Sequence, residues 1–302
     1  MHLPIIDFGE GLASAADLRR YAATAADLGY TTLATNDHLV WHQPWLDGPS
    51  VLTSLVEQAG PMTLATSIAI PAVRHPVVLA KWLTTLGCLT DSRIVAGLGP
   101  GASEADYAAV GVPFAERWAR FDEAAGAVKA LVRGTAPPPG RFYDLSGVRL
   151  DPLPARPPEV WYGSWGSDRR AQAMARIADG WFASGYNTTP ERFADARGRL
   201  DAHLRACGRD PSTFPDTVAS MWLFVSHDGE EADRILRHLL APTFRRDPDE
   251  LAPLVPVGTP EHCAKLLTAY AEAGARQVLL WPVHDPVAQL HAFAEHVRPH
   301  VP

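Results

Sequence analysis

The sequence predicts an α/β protein, specifically a (β/α)₈ (TIM) barrel, and three observations carry that prediction. Short apolar runs alternate with amphipathic helical patterns along nearly the whole chain. There are about eight such runs, the number that closes a parallel barrel. No linker or shift in composition divides the 302 residues, so residues 1–302 read as a single domain. An open doubly wound sheet is the competing architecture. Units spread over the full length favour closure.

The first run is "PIIDF". The first helix is "SAADLRRYAATAADLG", where Ser14 and Asp17 have capping-box spacing and Leu18, Tyr21, Ala22, Ala25 and Leu28 fall on one face. Gly29 suits a left-handed C-terminal position before the strand "YTTLA". The same phrase returns as "SVLTSLVEQAG" before "PMTLATSIAI", and as "HPVVLAKWLTTLGCLTDS" before "RIVAGLG". Further on, the strand "EVWYG" is followed by "DRRAQAMARIADG" and "WFAS", and then by the strand "VASMWLFVS". In the last unit Thr259 is an N-cap, Pro260 takes the first helical position, and Cys263, Leu266, Leu267 and Tyr270 form the buried stripe before "RQVLLW". Two Pro-rich stretches, about 133–159 and 241–257, read as loop insertions. The first has room for a hairpin, and insertions of this kind commonly cover a barrel mouth.

The composition is ordinary for a globular protein, with 47% hydrophobic and 20% charged residues. A net charge of −7 argues against a nucleic-acid partner. Cys88, Cys207 and Cys263 are odd in number and widely spaced, which suggests idle thiols in a reducing compartment. The N-terminal residues lack signal-peptide character, and no apolar run approaches membrane-spanning length. A soluble, cytoplasmic protein with no membrane partner is the expectation.

In a β/α barrel, chemistry collects where strands end. One strand ends at "TNDHLVWHQPW", where Asp37, His38, Trp41, His42 and Trp45 crowd together. His38 and His42 have i,i+4 spacing but lack a zincin glutamate and lie in a loop, so no metal site is expected. A histidine two residues past a strand end can exchange a proton with a ligand in the mouth. Trp41 and Trp45 are either walls of a substrate pocket or packing residues beneath the loop. The glycines of "GLGPGASE", among them Gly99 and Gly101, do not have dinucleotide-loop spacing and instead let backbone approach a ligand. In "YGSWGSDRR", Ser164 and Ser167, the amides of Trp165 and Gly166 and a helix N-terminus form a candidate phosphate cradle. Arg169 or Arg170 is available to add charge. "DGW", Asp179 to Trp181, reads as structural.

The phrases "NDHLVW", "LATSIAIPAVRHPVVLAKWLTTLGCLTDSRIVAGLGPG", "GVPFAERWARFDEA", "PPEVWYGSWGSDRRAQAMARIADGWFAS" and "VGTPEHCAKLLTAYAEAGARQVLL" together resemble the bacterial luciferase-like superfamily. That superfamily comprises flavin-dependent monooxygenases and oxidoreductases dependent on the deazaflavin coenzyme F420. The resemblance implies a barrel mouth holding F420, slightly favoured by "NDH", "TSI" and "LGCL", or FMN, together with a small-molecule substrate. It further implies that His38 and Asp37 are catalytic, with Asp37 orienting either His38 or the ring. Ser67 and Ile68 are expected to touch the ring at a bulge or cis peptide, and a homodimer is expected. Arg74 and His75 follow that strand, with a structural role for His75 before Pro76 at least as well supported as a catalytic one. The chain departs from the sugar-phosphate dehydrogenases of the superfamily by having Ala102 where they carry Glu, with Glu104 two residues on. Two rival readings are a cofactor-free barrel hydrolase or isomerase using Asp37 and His38, and a non-catalytic flavin-binding barrel.

Overall fold

A computed structural model describes every residue of the chain except Ser92. Its strands are β1 (Thr32–Thr35), β2 (Thr63–Ala69), β3 (Ile94–Leu98), β4 (Glu159–Ser164), β5 (Gly180–Ser184), β6 (Asp216–Val225), β7 (Val257–Gly258) and β8 (Val278–Pro282). All of their pairings are parallel, in the order β1 to β6, with both β7 and β8 paired to β6.

The N-terminal segment closes the ring. The amide of His2 donates to the carbonyl of Leu280 at 2.7 Å, and that of Leu3 donates to the carbonyl of Ala34 at 2.9 Å. The expected strand "PIIDF" is therefore corrected. Regular pairing occurs earlier, at His2, and the rest contributes only a bridge from Ile6 to Trp45. Pro4 explains the break, because it has no N–H to extend the ladder. The two-residue β7 was not anticipated from the sequence.

One residue from each of β1 to β6 and from β8 fills the barrel: Ala34, Ala65, Val95, Trp161, Phe182, Ala219 and Leu279. Large rings face small partners here. A Cβ on Gly180 would lie 2.4 Å from the Trp161 indole, and one on Gly97 would lie 2.5 Å from Phe182. This plug closes the interior below the mouth, so a ligand meets the barrel only at the carboxyl ends of the strands.

The helices follow the periodicity. Ala15–Asp27 carries the Ser14–Asp17 capping box and buries Leu18, Tyr21, Ala22 and Ala25. Pro260–Glu272 is capped by Thr259 and buries Cys263, Leu267 and Tyr270. Asp179 has the expected structural role. Its carboxylate accepts from Lys129, Arg133 and the amide of Val160, pinning β4 to the neighbouring helix.

The two insertions differ. Residues 135–158 contain neither helix nor strand among the described residues, so the hairpin does not form. Tyr143 of this stretch packs edge-on against His75, in the loop after β2, at 5.5 Å. The Glu123 carboxylate gathers the amides of Arg141, Phe142 and Tyr143, and Lys81 donates to the Asp151 carbonyl. These bonds bind it to the outer faces of the helices Pro76–Leu89 and Arg117–Val132. The second insertion reaches the mouth: Phe244 stacks on Trp222 of β6 at 4.1 Å, and Gln43 donates to Thr243. No helix among the described residues is long and apolar enough to cross a membrane.

Candidate active site

Because all strands are parallel, the loops after β1, β2, β3 and β4 open on one rim. His38, Ser67–Ile68, Gly99–Gly101 and Ser164–Ser167 therefore share that rim.

His38 follows β1 and is mostly buried. Its Nδ1 lies 2.7 Å from Oδ2 of Asp106, a residue buried completely in the first turn of the helix Glu104–Ala109. Oδ1 of Asp106 accepts from the amides of Leu39 and Val40, each at 2.8 Å. Trp41 and Trp45 hold the imidazole between them, with ring centroids at 4.3 Å and 4.6 Å. The aromatic wall continues from Trp45 to Trp281 at 5.9 Å, to Trp222 at 4.5 Å and to Phe244. The indole N–H groups of Trp41, Trp45, Trp222 and Trp281 are buried without a partner. Such groups are normally satisfied.

Asp37 does not orient His38, the first of the two roles expected of it. It accepts from Arg74 through Nε at 2.7 Å and through Nη2 at 2.6 Å, and from the Ile70 amide at 3.1 Å. Arg74 also bonds Asp47, which caps the helix Gly48–Ser54 through the amide of Ser50. Burial pulls the Arg74 pKa down, but hydrogen bonds and charge from Asp37 and Asp47 outweigh it and leave the guanidinium firmly charged. This closed ion-pair cluster fastens the β1 loop to the end of β2. His75 is structural as well: it caps the helix Pro76–Leu89 by accepting from the Val77 amide.

At the end of β2 the Ser67–Ile68 peptide is cis, and the register with β3 shifts between Thr66 and Ala69. Ser67 is buried and its hydroxyl has no partner. Ile68 lies against glycines of two strands. A Cβ on Gly99 would stand 2.9 Å from its side chain, and one on Gly163 would stand 2.6 Å away. Gly101 adopts φ +67 and would meet Ile70 at 2.6 Å. The glycines on the β3–β4 side of the mouth thus make room for the Ile68 and Ile70 side chains, which pack directly on the backbone.

Ser164 accepts from the amide of Gly166, which has φ +78, while the Trp165 indole projects into solvent. Ser167 precedes the helix Asp168–Ile177 but makes no capping bond with its side chain, so its hydroxyl is available beside the helix N-terminus. Arg170 does not join this cradle: it pairs with Asp122 at 2.7 Å. Arg169 is exposed.

Of the residues singled out from sequence, His38, Trp41 and Trp45 come together as one cluster, and Ile68 and Gly99 as another, to which the structure adds Gly163. Asp106 was missed. The local pattern Ser103–Asp106 reads as an N-terminal cap, and the Ser103 hydroxyl does accept the Asp106 amide.

A closed parallel barrel with a histidine, a glycine face and a free helix N-terminus at its carboxyl rim defines a ligand-binding (β/α)₈ barrel. The chain belongs to the luciferase-like monooxygenase family, whose model matches residues 6–253. Among curated relatives, an F420-dependent glucose-6-phosphate dehydrogenase of Kribbella flavida is 27% identical over 94% of this chain and 93% of its own. Among solved structures, the monooxygenase RslO1 from Streptomyces bottropensis superposes with a TM-score of 0.84 at 20% identity, covering 99% of this chain and 98% of that one. An F420-dependent secondary alcohol dehydrogenase in complex with an F420-acetone adduct also gives 0.84, at 17% identity, with 96% of each chain covered. At those identities the structural likeness is one of fold.

Proposed function

We propose that this protein is an oxidoreductase that binds coenzyme F420 or FMN across the barrel mouth and transfers hydride between it and a small organic substrate. F420 is favoured, since the curated relative that spans most of the chain is named for it. The observation that carries the proposal is the shared rim. The glycine face around Ile68 lies beside β4, whose end leads directly into the Ser164–Ser167 turn. The orphaned Ser67 hydroxyl and the free Ser167 hydroxyl fit a group with a polar flat ring and a phosphorylated tail.

When bound, that group supplies the two-electron centre. The chain's own residues do the remainder. Ser67, Ile68, Gly99 and Gly101 would support the ring, and Ser164, Trp165, Gly166 and Ser167 the phosphate. Trp41 and Trp45 would wall the substrate and exclude water. His38 would hold or release the proton at Nε2. Asp37 is given no proton, because its oxygens are bonded to Arg74 and Ile70, which also weakens the rival hydrolase built on Asp37 and His38.

We further propose a cytoplasmic homodimer. Val78 and Leu89, at 63% and 58% exposure, lie eleven residues apart on one helix and so on one face, which supports a covered surface.

The deciding experiment titrates the apoprotein with F420 and FMN side by side, following cofactor fluorescence. Micromolar binding of F420 is the expected result, and binding of FMN alone would shift the reading to a monooxygenase. Failure to bind either would overturn it. Sedimentation velocity tests the dimer.

A further inference from the structure

Asp106 directs both carboxylate oxygens at the loop after β1: one takes two backbone amides and the other takes His38 Nδ1. A carboxylate held in this way is an acceptor only, so the hydrogen of its bond with the imidazole must come from Nδ1. In the neutral ring the lone pair then resides on Nε2. The flanking indoles of Trp41 and Trp45 resist rotation of the ring out of this arrangement.

We propose that Asp106 is a positioning residue that fixes His38 as the Nδ1–H tautomer, with Nε2 presented to the mouth as the proton acceptor. In substrate oxidation the hydroxyl O–H bond would break and its proton would pass to Nε2, while the bound group would supply the acceptor for the hydride of the adjacent C–H bond, leaving a carbonyl. In reduction the imidazolium returns the proton from Nε2, and the bond to Asp106 is kept in both directions. This catalytic consequence rests on the oxidoreductase reading; the tautomer itself does not.

The test uses apoprotein with ¹⁵N-labelled histidine and a two-bond ¹⁵N–¹H correlation at pH 8. The His38 signals are assigned by their loss in His38→Asn. The hydrogen is expected on Nδ1. In Asp106→Asn the side-chain carbonyl still accepts the Leu39 and Val40 amides, while the amide nitrogen now donates to Nδ1, so the hydrogen should move to Nε2. That variant should bind F420 or FMN within threefold of the parent. With a secondary alcohol it should lose kcat by about 10²- to 10⁴-fold at nearly unchanged KM. A parent spectrum with hydrogen on Nε2 overturns the proposal even if Asp106→Asn does not fold, and so does a variant whose pattern fails to invert. If neither cofactor binds, the oxidoreductase reading fails, and the spectra still decide the tautomer.

Discussion

The two sides of the barrel mouth are built from opposite materials. The side formed by β2, β3 and β4 presents Ser67, Gly99, Gly101, Gly163 and Ser164. The side formed by the β1 loop, β6 and β8 presents Trp41, Trp45, Trp222 and Trp281, with Phe244 laid across them. Glycine brings no side chain, and at Gly99, Gly101 and Gly163 a Cβ would press into Ile68 or Ile70. Tryptophan brings some 150–250 Å² of surface to be buried. The glycine side is thus required by the close packing of Ile68 and Ile70 on backbone. The aromatic side stabilises the fold, with Trp222 and Trp281 fully buried beneath the half-buried Trp41 and Trp45.

If the sides divide the work between cofactor and substrate, His38 stands at the seam and its loss should have the largest effect. His38→Ala should lower kcat by about 10²- to 10⁴-fold while leaving cofactor affinity within threefold. Unchanged turnover would remove His38 from the chemistry and leave a binding barrel.

On the glycine side, Gly163→Val places branched carbons where a Cβ already falls 2.6 Å from Ile68. Ile68 must then move outward onto the face the ring would occupy. Cofactor affinity should fall by at least about tenfold, with overpacking costing about 1–3 kcal/mol of stability in chemical denaturation. Trp45→Leu should do the converse, raising KM several-fold with cofactor binding preserved. It should destabilise by about 1–3 kcal/mol, because Trp45 also packs on Trp281. If both variants weakened cofactor and substrate alike, the division would be wrong.

What could be read from sequence follows the same line between local and long-range information. Strand ends are local, so His38 and the Ser164–Ser167 turn fall on the rim by periodicity, while Ser67 is singled out through the family resemblance. The Asp37–His38 pairing failed. Past the end of β1 the two side chains part, Asp37 to Arg74 and His38 to Asp106 and the flanking indoles. Asp106 was hidden because its partner lies 68 residues away and its own neighbourhood mimics a helix cap. Composition marked residues 133–159 as irregular, but it cannot encode that the Glu123 carboxylate holds the amides of Arg141 to Tyr143.

The smallest expected effect concerns the joint between the two sides, where Arg74 ties Asp37 and Asp47 together. Burial raises the Asp47 pKa, but bonds from Ser50 and Arg74 outweigh it and hold the carboxyl below its ordinary 3.8. An acid depressed in the fold adds stability above its unfolded pKa and loses that contribution as pH falls through the folded value. Asp47→Asn keeps a competent helix cap but removes the charge. Because Asp47 is 39% exposed, solvent screening limits the difference at neutral pH to under about 1 kcal/mol. Melting curves of parent and variant should therefore lie slightly apart at pH 7 and begin to draw together as pH falls below about 4, closing as it passes through the lowered value of the folded carboxyl. A gap that does not narrow at all on acidification would mean the charge of Asp47 contributes nothing, leaving Asp37 alone to hold Arg74 and join the aromatic side of the mouth to the glycine side.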